Sequence, residues 1–472
     1  MKMMKRLLSF LLMLAMCCAL TACSKEEAPT VSATDAPPAA NGTETTANPD
    51  DVMITIGSET VTRAEYEEYL NTMVNYYSNS GYDVTDPQLY AVLQEIALKT
   101  GVEYAVMNQL IAEKGLTLTE EEKAQAIADA QANWDALVAD GLSYYGITEE
   151  STDEERSAMT VTVLAELESM GYTPESFQAE SVANAGYNKL YDTVTKDVTV
   201  SDEDVLAYFD SLVEADKASY ENNVAAYENA QYMNQLYTMY GMSNYVTEFY
   251  YKPAGYRLVT HILLEVEEEL LSNYADLQAT YEEQQNTLEE GGEVTEELVT
   301  AEEVENARLA ILASVQATVD EINQKLADGK TFAELIPEYT TDPGMADEAS
   351  IAAGYEVHMD STNWVIPFRD QAFTVDNIGD VTAPVVTDYG VHILQYVADV
   401  PSGAVELTDS MKEAFRETLL ADAKSDVFDT AIDEWIAAGN VVYSDEAQAI
   451  LDAAAAVSAA LQAESDSTEA AE

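Results

Sequence analysis

The sequence predicts an α+β chain, mostly helical, with most of its strands in the second half. Three observations carry this. Residues from about 51 to 213 read as mostly helical, with repeated helix-start signals. Alternating, β-branched stretches occur at 256–264, with further strand candidates at 381–386 and 391–397. A helical pattern then returns over 408–438, with Phe415, Leu419, Phe428, Ile432 and Trp435 as its expected core residues.

The first 22 residues form their own class. Lys2, Lys5 and Arg6 make a short basic region, and Leu7 to Ala19 is apolar and free of charge. That run is too short for an ordinary spanning helix and fits a signal-peptide core. Leu20-Thr21-Ala22-Cys23 follows at once and resembles the bacterial lipobox. The resemblance implies that Cys23 carries lipid and holds the protein on the extracytoplasmic face of the cell membrane. An uncleaved anchor helix or an ordinary signal peptide is the alternative. The other two cysteines, Cys17 and Cys18, lie within the leader, so the mature chain has neither a disulfide nor a cysteine metal site.

Residues 23–50 are rich in Ala, Pro, Thr and Glu without an apolar period, and read as a disordered tether. Such a chain reaches roughly 30 Å from its anchor. The body begins with a strand at Val52 to Ile56. Thr62 with Glu65, Thr119 with Glu122 and Ser201 with Asp204 each place a hydroxyl at an N-cap and an acid three residues on. The pair satisfies backbone donors that the first helical turn leaves free. Thr173-Pro174 is a further helix start. Residues 214–255 are dense in tyrosine, which suits either an adaptable binding surface or rings packed on their own domain. After the strand at 256–264 comes an acidic insertion, 265–305. Leu312, Val315, Val319, Ile322 and Leu326 then mark one helix face that stops at Gly329, and another helix starts near Phe332. Residues 447–472 are Ala/Glu/Ser-rich and read as a tail that can begin as a helix but frays into disorder.

Charge excludes one class of partner. The chain has 21 basic and 87 acidic residues, a net charge of −66; loss of the three basic leader residues leaves 18 against 87, or −69. Nucleic-acid binding needs a basic surface and is excluded. Basic chains or cations are the electrostatically favoured partners, and solubility alone accounts for the charge equally well.

Only three histidines occur: His261, His358 and His392. Thr260-His261-Ile262-Leu263 and Gly390-Val391-His392-Ile393 are strand-like, so each imidazole points to one side and its isoleucine to the other. Around them, residues 256–398 resemble the parvulin peptidyl-prolyl isomerases. The resemblance rests on segments in the family's order: Gly329 to Leu335; Tyr339-Thr340-Thr341-Asp342-Pro343-Gly344; Ile366 to Phe373; Gly379 to Val385; and Thr387 to Ile393. Residues 52–70, 102–123 and 187–213, with the helix from 408, resemble the helical chaperone domain of PrsA/SurA-type foldases. This implies an isomerase module at 256–400 inserted in a discontinuous helical body, 51–255, with 401–446 as a C-terminal helix packing back on it.

The resemblance assigns His261, His392, Asp342 and Thr387 to the catalytic network, and Phe368, Trp364 and Ala353 to the proline slot. No cofactor or metal is implied. Three departures from the family pattern stand out. Trp364 holds a position usually occupied by Met. Ile351-Ala352-Ala353-Gly354-Tyr355 replaces a "GGDLG" segment, so Ala353 takes the place of a pocket leucine. Glu265, Glu267, Glu268 and Glu269 stand where phosphate-directed members are basic, which excludes phosphorylated substrates. The implied partners are unfolded exported proteins, X–Pro segments and the membrane, with a homodimer left open. A non-catalytic holdase with a degenerate module is the alternative; a solute-binding lipoprotein would want two α/β lobes, against the long helical stretches.

Overall fold

A computed structural model describes residues 48–295 and 297–469, with side chains described up to residue 463. The expected leader, Cys23 and nearly all of the tether lie outside the described residues. The chain forms two compact units. Unit 1 takes the residues up to Val200 and those from Glu417 onward; unit 2 is Ser201–Arg416. No helix among the described residues is long and apolar enough to cross a membrane.

Unit 1 is helical around a three-stranded antiparallel sheet. Strand β1 (Val52–Ile56) turns through Gly57, whose φ is +58°, into β2 (Glu59–Thr62). Strand β9 (Val442–Tyr443) pairs with the other edge of β1. Helices α1 (Arg63–Asn79), α2 (Pro87–Glu113), α3 (Glu120–Tyr144), α4 (Asp153–Ser169) and α5 (Pro174–Thr195) follow. The start signals at Thr62, Thr119 and Thr173 all act as N-caps, and Thr152 with Glu155 adds a capping box that the sequence reading passed over. From the C-terminal segment come most of α13 (Asp409–Gly439) and α14 (Asp445–Glu469). Their Phe428, Ile432 and Ala447 join Met53, Ile54, Leu93, Leu98 and Leu190 in one core. Each large side chain so buried contributes roughly 1.5–3 kcal/mol.

Two expectations need correction here. The tail expected to fray into disorder over 447–472 is helical as far as Glu469, and Ala447 and Ala454 are fully buried. Alanine is the strongest helix former, and its small side chain allows α14 to lie close on α2. The helical domain expected over 51–255 is not a single unit. Its last part, from Ser201, belongs to unit 2, because an apolar period identifies a helix and not the core it joins.

Unit 2 begins with α6 (Asp202–Tyr220), capped by Ser201 and Asp204 as expected, and α7 (Val224–Met239). A small sheet joins β3 (Tyr251–Lys252) to β8 (Gly403–Ala404). Phe415, in the first turns of α13, packs beside Tyr208, Phe209 and Tyr250. The main sheet is antiparallel, in the order β5-β4-β7-β6: β4 (Arg257–Leu264), β5 (Tyr355–Val357), β6 (Val385–Thr387) and β7 (Gly390–Asp399). Of the strand expected at 381–386, the first part is reduced to a single bridge from Val381 to Gln395.

The acidic insertion is a helical excursion. It consists of α8 (Glu268–Glu289) and the first turn of α9 (Ala301–Ala327), which begins at the capping box of Thr300 and Glu303. Ile311, Val315, Val319 and Ile322 of α9 are buried with Phe332, Leu335 and Ile336 of α10 (Phe332–Tyr339). They cover one face of the sheet through Ile262, Leu264, Val391 and Ile393. Because side chains alternate along a strand, the opposite face is left for His261 and His392.

Candidate functional site

Strand pairing brings the two histidines together. His261 lies opposite Leu394, and Leu263 lies opposite His392. The imidazoles are therefore diagonal neighbours on one face. Their rings stack with centroids 5.0 Å apart and 15° between planes, and the two Nδ1 atoms are 2.9 Å apart. Both are buried, at 3 % and 5 % exposure.

The hydrogen bonds fix a direction. Asp342 Oδ2 is 2.6 Å from His261 Nε2 and accepts from the Tyr355 hydroxyl at 2.8 Å, while Oδ1 accepts from the Gly344 amide at 2.9 Å. Burial works to raise the Asp342 pKa, but these donors outweigh it and hold the carboxyl below its ordinary value. An ionised Asp342 only accepts, so His261 donates from Nε2 and presents a lone pair at Nδ1. His392 must then donate from Nδ1, and its Nε2 accepts from the Thr387 hydroxyl at 2.8 Å. Thr387 accepts in turn from the Tyr389 amide at 3.1 Å. Every member is satisfied with both rings neutral. Burial depresses both imidazoles; His392, with added repulsion from His261, falls to about 3.

The apolar part lies beside this chain. Phe368, on α12 (Ile366–Gln371), is 3 % exposed. Its ring meets His261 and His392 edge-on, with centroids 5.2 Å away in both cases. Trp364 stacks on Phe368 at 5.3 Å and fixes its indole N–H on the Glu356 carbonyl at 3.1 Å. Val259, Val357, Ala372 and Leu394 form the floor.

Thus His261, His392, Asp342, Thr387, Trp364 and Phe368 are gathered in one cluster. Ala353 is not. It ends α11 (Glu348–Ala353) in an exposed position. The segment sends Tyr355 to the cluster instead, with its ring 5.4 Å from His261 and 4.9 Å from Trp364. Burial, followed by the bond to Asp342, pushes the Tyr355 hydroxyl up to about 12, so it remains a donor. A Cβ at Gly344 would collide with the Tyr355 hydroxyl, so the Asp-Pro-Gly turn is shaped around that side chain. His358 stands apart, bonded to the Ala254 carbonyl and the Asp360 amide and packed on Tyr256.

Missed altogether was Glu228 of α7, only 4 % exposed. It accepts from Tyr256 Oη at 3.2 Å, Ser361 Oγ at 2.8 Å and the Thr362 amide at 3.2 Å. Ser361 and Thr362 open the loop that carries Trp364. Among the described residues, no group of three or more His, Cys, Asp or Glu is placed to hold a metal ion.

Residues 298–398 match the family described as Rotamase: PPIC-type PPIASE domain. That match begins beyond β4 and so includes His392 but not His261. The chain is 36 % identical over 112 residues to foldase protein PrsA 2 of Listeria innocua, which is 24 % of this chain and 36 % of that protein. It is 32 % identical over 144 residues to foldase protein PrsA of Oceanobacillus iheyensis, 29 % and 46 % of the two lengths. The matches therefore span less than half of these relatives. Among solved structures, PrsA from Bacillus subtilis aligns over 82 % of this chain and 91 % of its own, at 16 % identity and a TM-score of 0.18. A SurA-like chaperone of Campylobacter jejuni aligns over 66 % and 95 %, at 16 % identity and a TM-score of 0.26.

Proposed function

We propose that the chain is a peptidyl-prolyl cis–trans isomerase and chaperone that assists the folding of exported proteins, held on the outer face of the cell membrane by lipid on Cys23. The observation that carries the isomerase reading is the stacked pair His261/His392 with the Phe368 ring edge-on to both. The matching rotamase domain supports it.

The barrier to rotation about a peptide bond is about 18–20 kcal/mol and arises from amide resonance. The chemistry needs only that the site bind the twisted amide better than the planar one. Twisting removes the resonance that gives an amide much of its dipole. A slot of aromatic faces, stripped of water, loses less on binding this less polar form. Phe368 and Trp364 supply that slot. The neutral, fully bonded chain from Tyr389 to Asp342 holds both imidazoles rigid beneath it, and Tyr355 extends its wall. Since Phe368 is buried and Trp364 is the more open of the two, substrate enters past Trp364.

The test is acceleration of cis-to-trans exchange in a panel of unphosphorylated X–Pro peptides. Phe368→Ala should abolish most of it in a folded protein. No acceleration by the wild type would replace this reading with a holdase, which the stack of Trp364 over Phe368 favours. The anchor is tested separately: Cys23→Ala should release the protein from the membrane or leave it unprocessed, and unchanged mass and retention would refute the lipid.

A further inference from the structure

Helix α7 and the turn after it differ from the rest of the molecule. From Val224 to Thr247 there is one charged residue, Glu228, and it is buried. This is a 24-residue stretch without a surface charge in a chain of net charge −66. What it exposes instead is Tyr232, Met239, Tyr240, Met242, Tyr245 and Val246, with Met239 at 71 % and Tyr240 at 72 %.

The surface is held in shape. The Asn234 side chain bonds both ways to Thr247, donating to its carbonyl at 2.6 Å and accepting from its amide at 2.9 Å. The return segment is thereby tied along the helix, and Tyr237 and Tyr245 meet at 5.6 Å. Asn234, Gln235, Thr238 and Met239 line a shallow depression of about 410 Å³. Tyrosine, methionine and amide side chains combine large contact area with adaptable hydrogen bonding.

The same helix is fastened to the slot. Near its base, Glu228 binds Ser361 and Thr362, in the loop that carries Trp364 two residues on. From Glu228 to Tyr240 the helix advances ~18 Å at 1.5 Å per residue. An extended chain covers that span in about six residues.

We infer that the tip of α7 is a second docking site for the polypeptide whose proline occupies the slot, and that it takes aromatic and aliphatic side chains about six residues away from the X–Pro bond. This rests on the isomerase reading above. The occupant is a foreign, non-native segment. A second copy of so acidic a chain is repelled, and an uncharged surface offers nothing to a charged partner. Linking the two contacts raises the effective concentration of the proline at the slot.

The experiment uses two peptides with one X–Pro bond each. In one, a Phe-Leu-Phe anchor lies six residues away; in the other, the anchor is Ser-Gly-Ser. With the full chain, the anchored peptide should show a KM at least about tenfold lower with kcat unchanged, insensitive to salt. The triple variant Tyr232→Ser/Met239→Ser/Tyr240→Ser changes exposed residues only. It should lose that difference while turning over the Ser-Gly-Ser peptide as the wild type does. Equal KM values for the two peptides, or a triple variant that still separates them, would overturn the inference. So would a concentration-dependent dimer that the triple variant abolishes. If the wild type accelerates neither peptide, the isomerase reading fails. Anisotropy of the labelled anchored peptide then decides the docking site alone: binding lost in the triple variant supports it, and no binding overturns it.

Discussion

In unit 1, Glu103 lies half-buried on α2, close to Asp429 and Asp433 of α13. Desolvation, with repulsion from both aspartates, pushes its carboxyl up to about 7 against the pull of Lys99. In unit 2, desolvation pushes the imidazoles of His261 and His392 down. Burial favours the neutral form in each case, and acid and base respond in opposite directions. The two units should therefore answer acidification differently. Glu103 binds more protons folded than unfolded between pH 4.5 and 7, so its contribution is present below 4.5 and is lost as pH rises through 7. His392 binds fewer protons folded than unfolded between about 3 and 6.5. Its contribution is present above 6.5 and is lost as pH falls.

The strongest way to separate the units is Phe368→Ala. Removing a buried phenylalanine typically costs about 3–5 kcal/mol. Hydrogen exchange should speed up in the sheet β5-β4-β7-β6 and stay unchanged in α1 and α2. Equal loosening of both would mean that they fold as one cooperative body. Provided the variant stays folded, isomerase activity should fall by at least about tenfold.

The pH comparison itself comes next. Between pH 7 and 5, unit 2 should lose up to about 1.4 kcal/mol per pH unit for each titrating histidine. Over the same range unit 1 should gain from Glu103. Exchange protection followed separately in the two units would show opposite slopes, and parallel slopes would refute the assignment. Glu103→Gln keeps the shape and removes the charge. It should flatten the slope of unit 1, raise its stability above pH 7 by on the order of 1 kcal/mol, and leave unit 2 as it was.

Different parts of this organisation were legible in the sequence for different reasons. The caps at Thr62, Thr119 and Ser201 are local chemistry, and each appears where it was read. Strand alternation placed His261 and His392 to one side of their strands and the isoleucines to the other. Tertiary membership was not legible. Nothing in the periodicity of 408–438 says that Phe415 packs with α6 while Phe428 joins a core with Leu93. Ala353 was singled out by its place in a family segment, but the chain turns at Gly354, φ +60°, and delivers Tyr355. Glu228 gave no signal because two of its three partners, Ser361 and Thr362, are more than a hundred residues away.

The finest test of the comparison uses one capping threonine from each unit. Thr119 accepts from the Glu122 amide at 3.2 Å, and Thr331 accepts from the Glu334 amide at 3.3 Å. Loss of an N-cap hydroxyl costs about 1 kcal/mol, within 0.5–2. The two substitutions should nevertheless differ. Glu122 also holds Lys189 of α5 at 2.8 Å, so a second tie keeps the start of α3 in place when the hydroxyl is gone. Glu334 leans on Thr331 through both its amide and its hydroxyl, and α10 is only two turns long, with Phe332 and Leu335 in the core. Thr331→Ala should therefore cost more than Thr119→Ala, and should loosen unit 2 alone; Thr119→Ala should loosen unit 1 alone. Denaturant unfolding of the full chain, read by exchange in each unit, would show it. If either substitution shifted both units together, the separate pH responses would lose their basis, since one cooperative transition has a single slope.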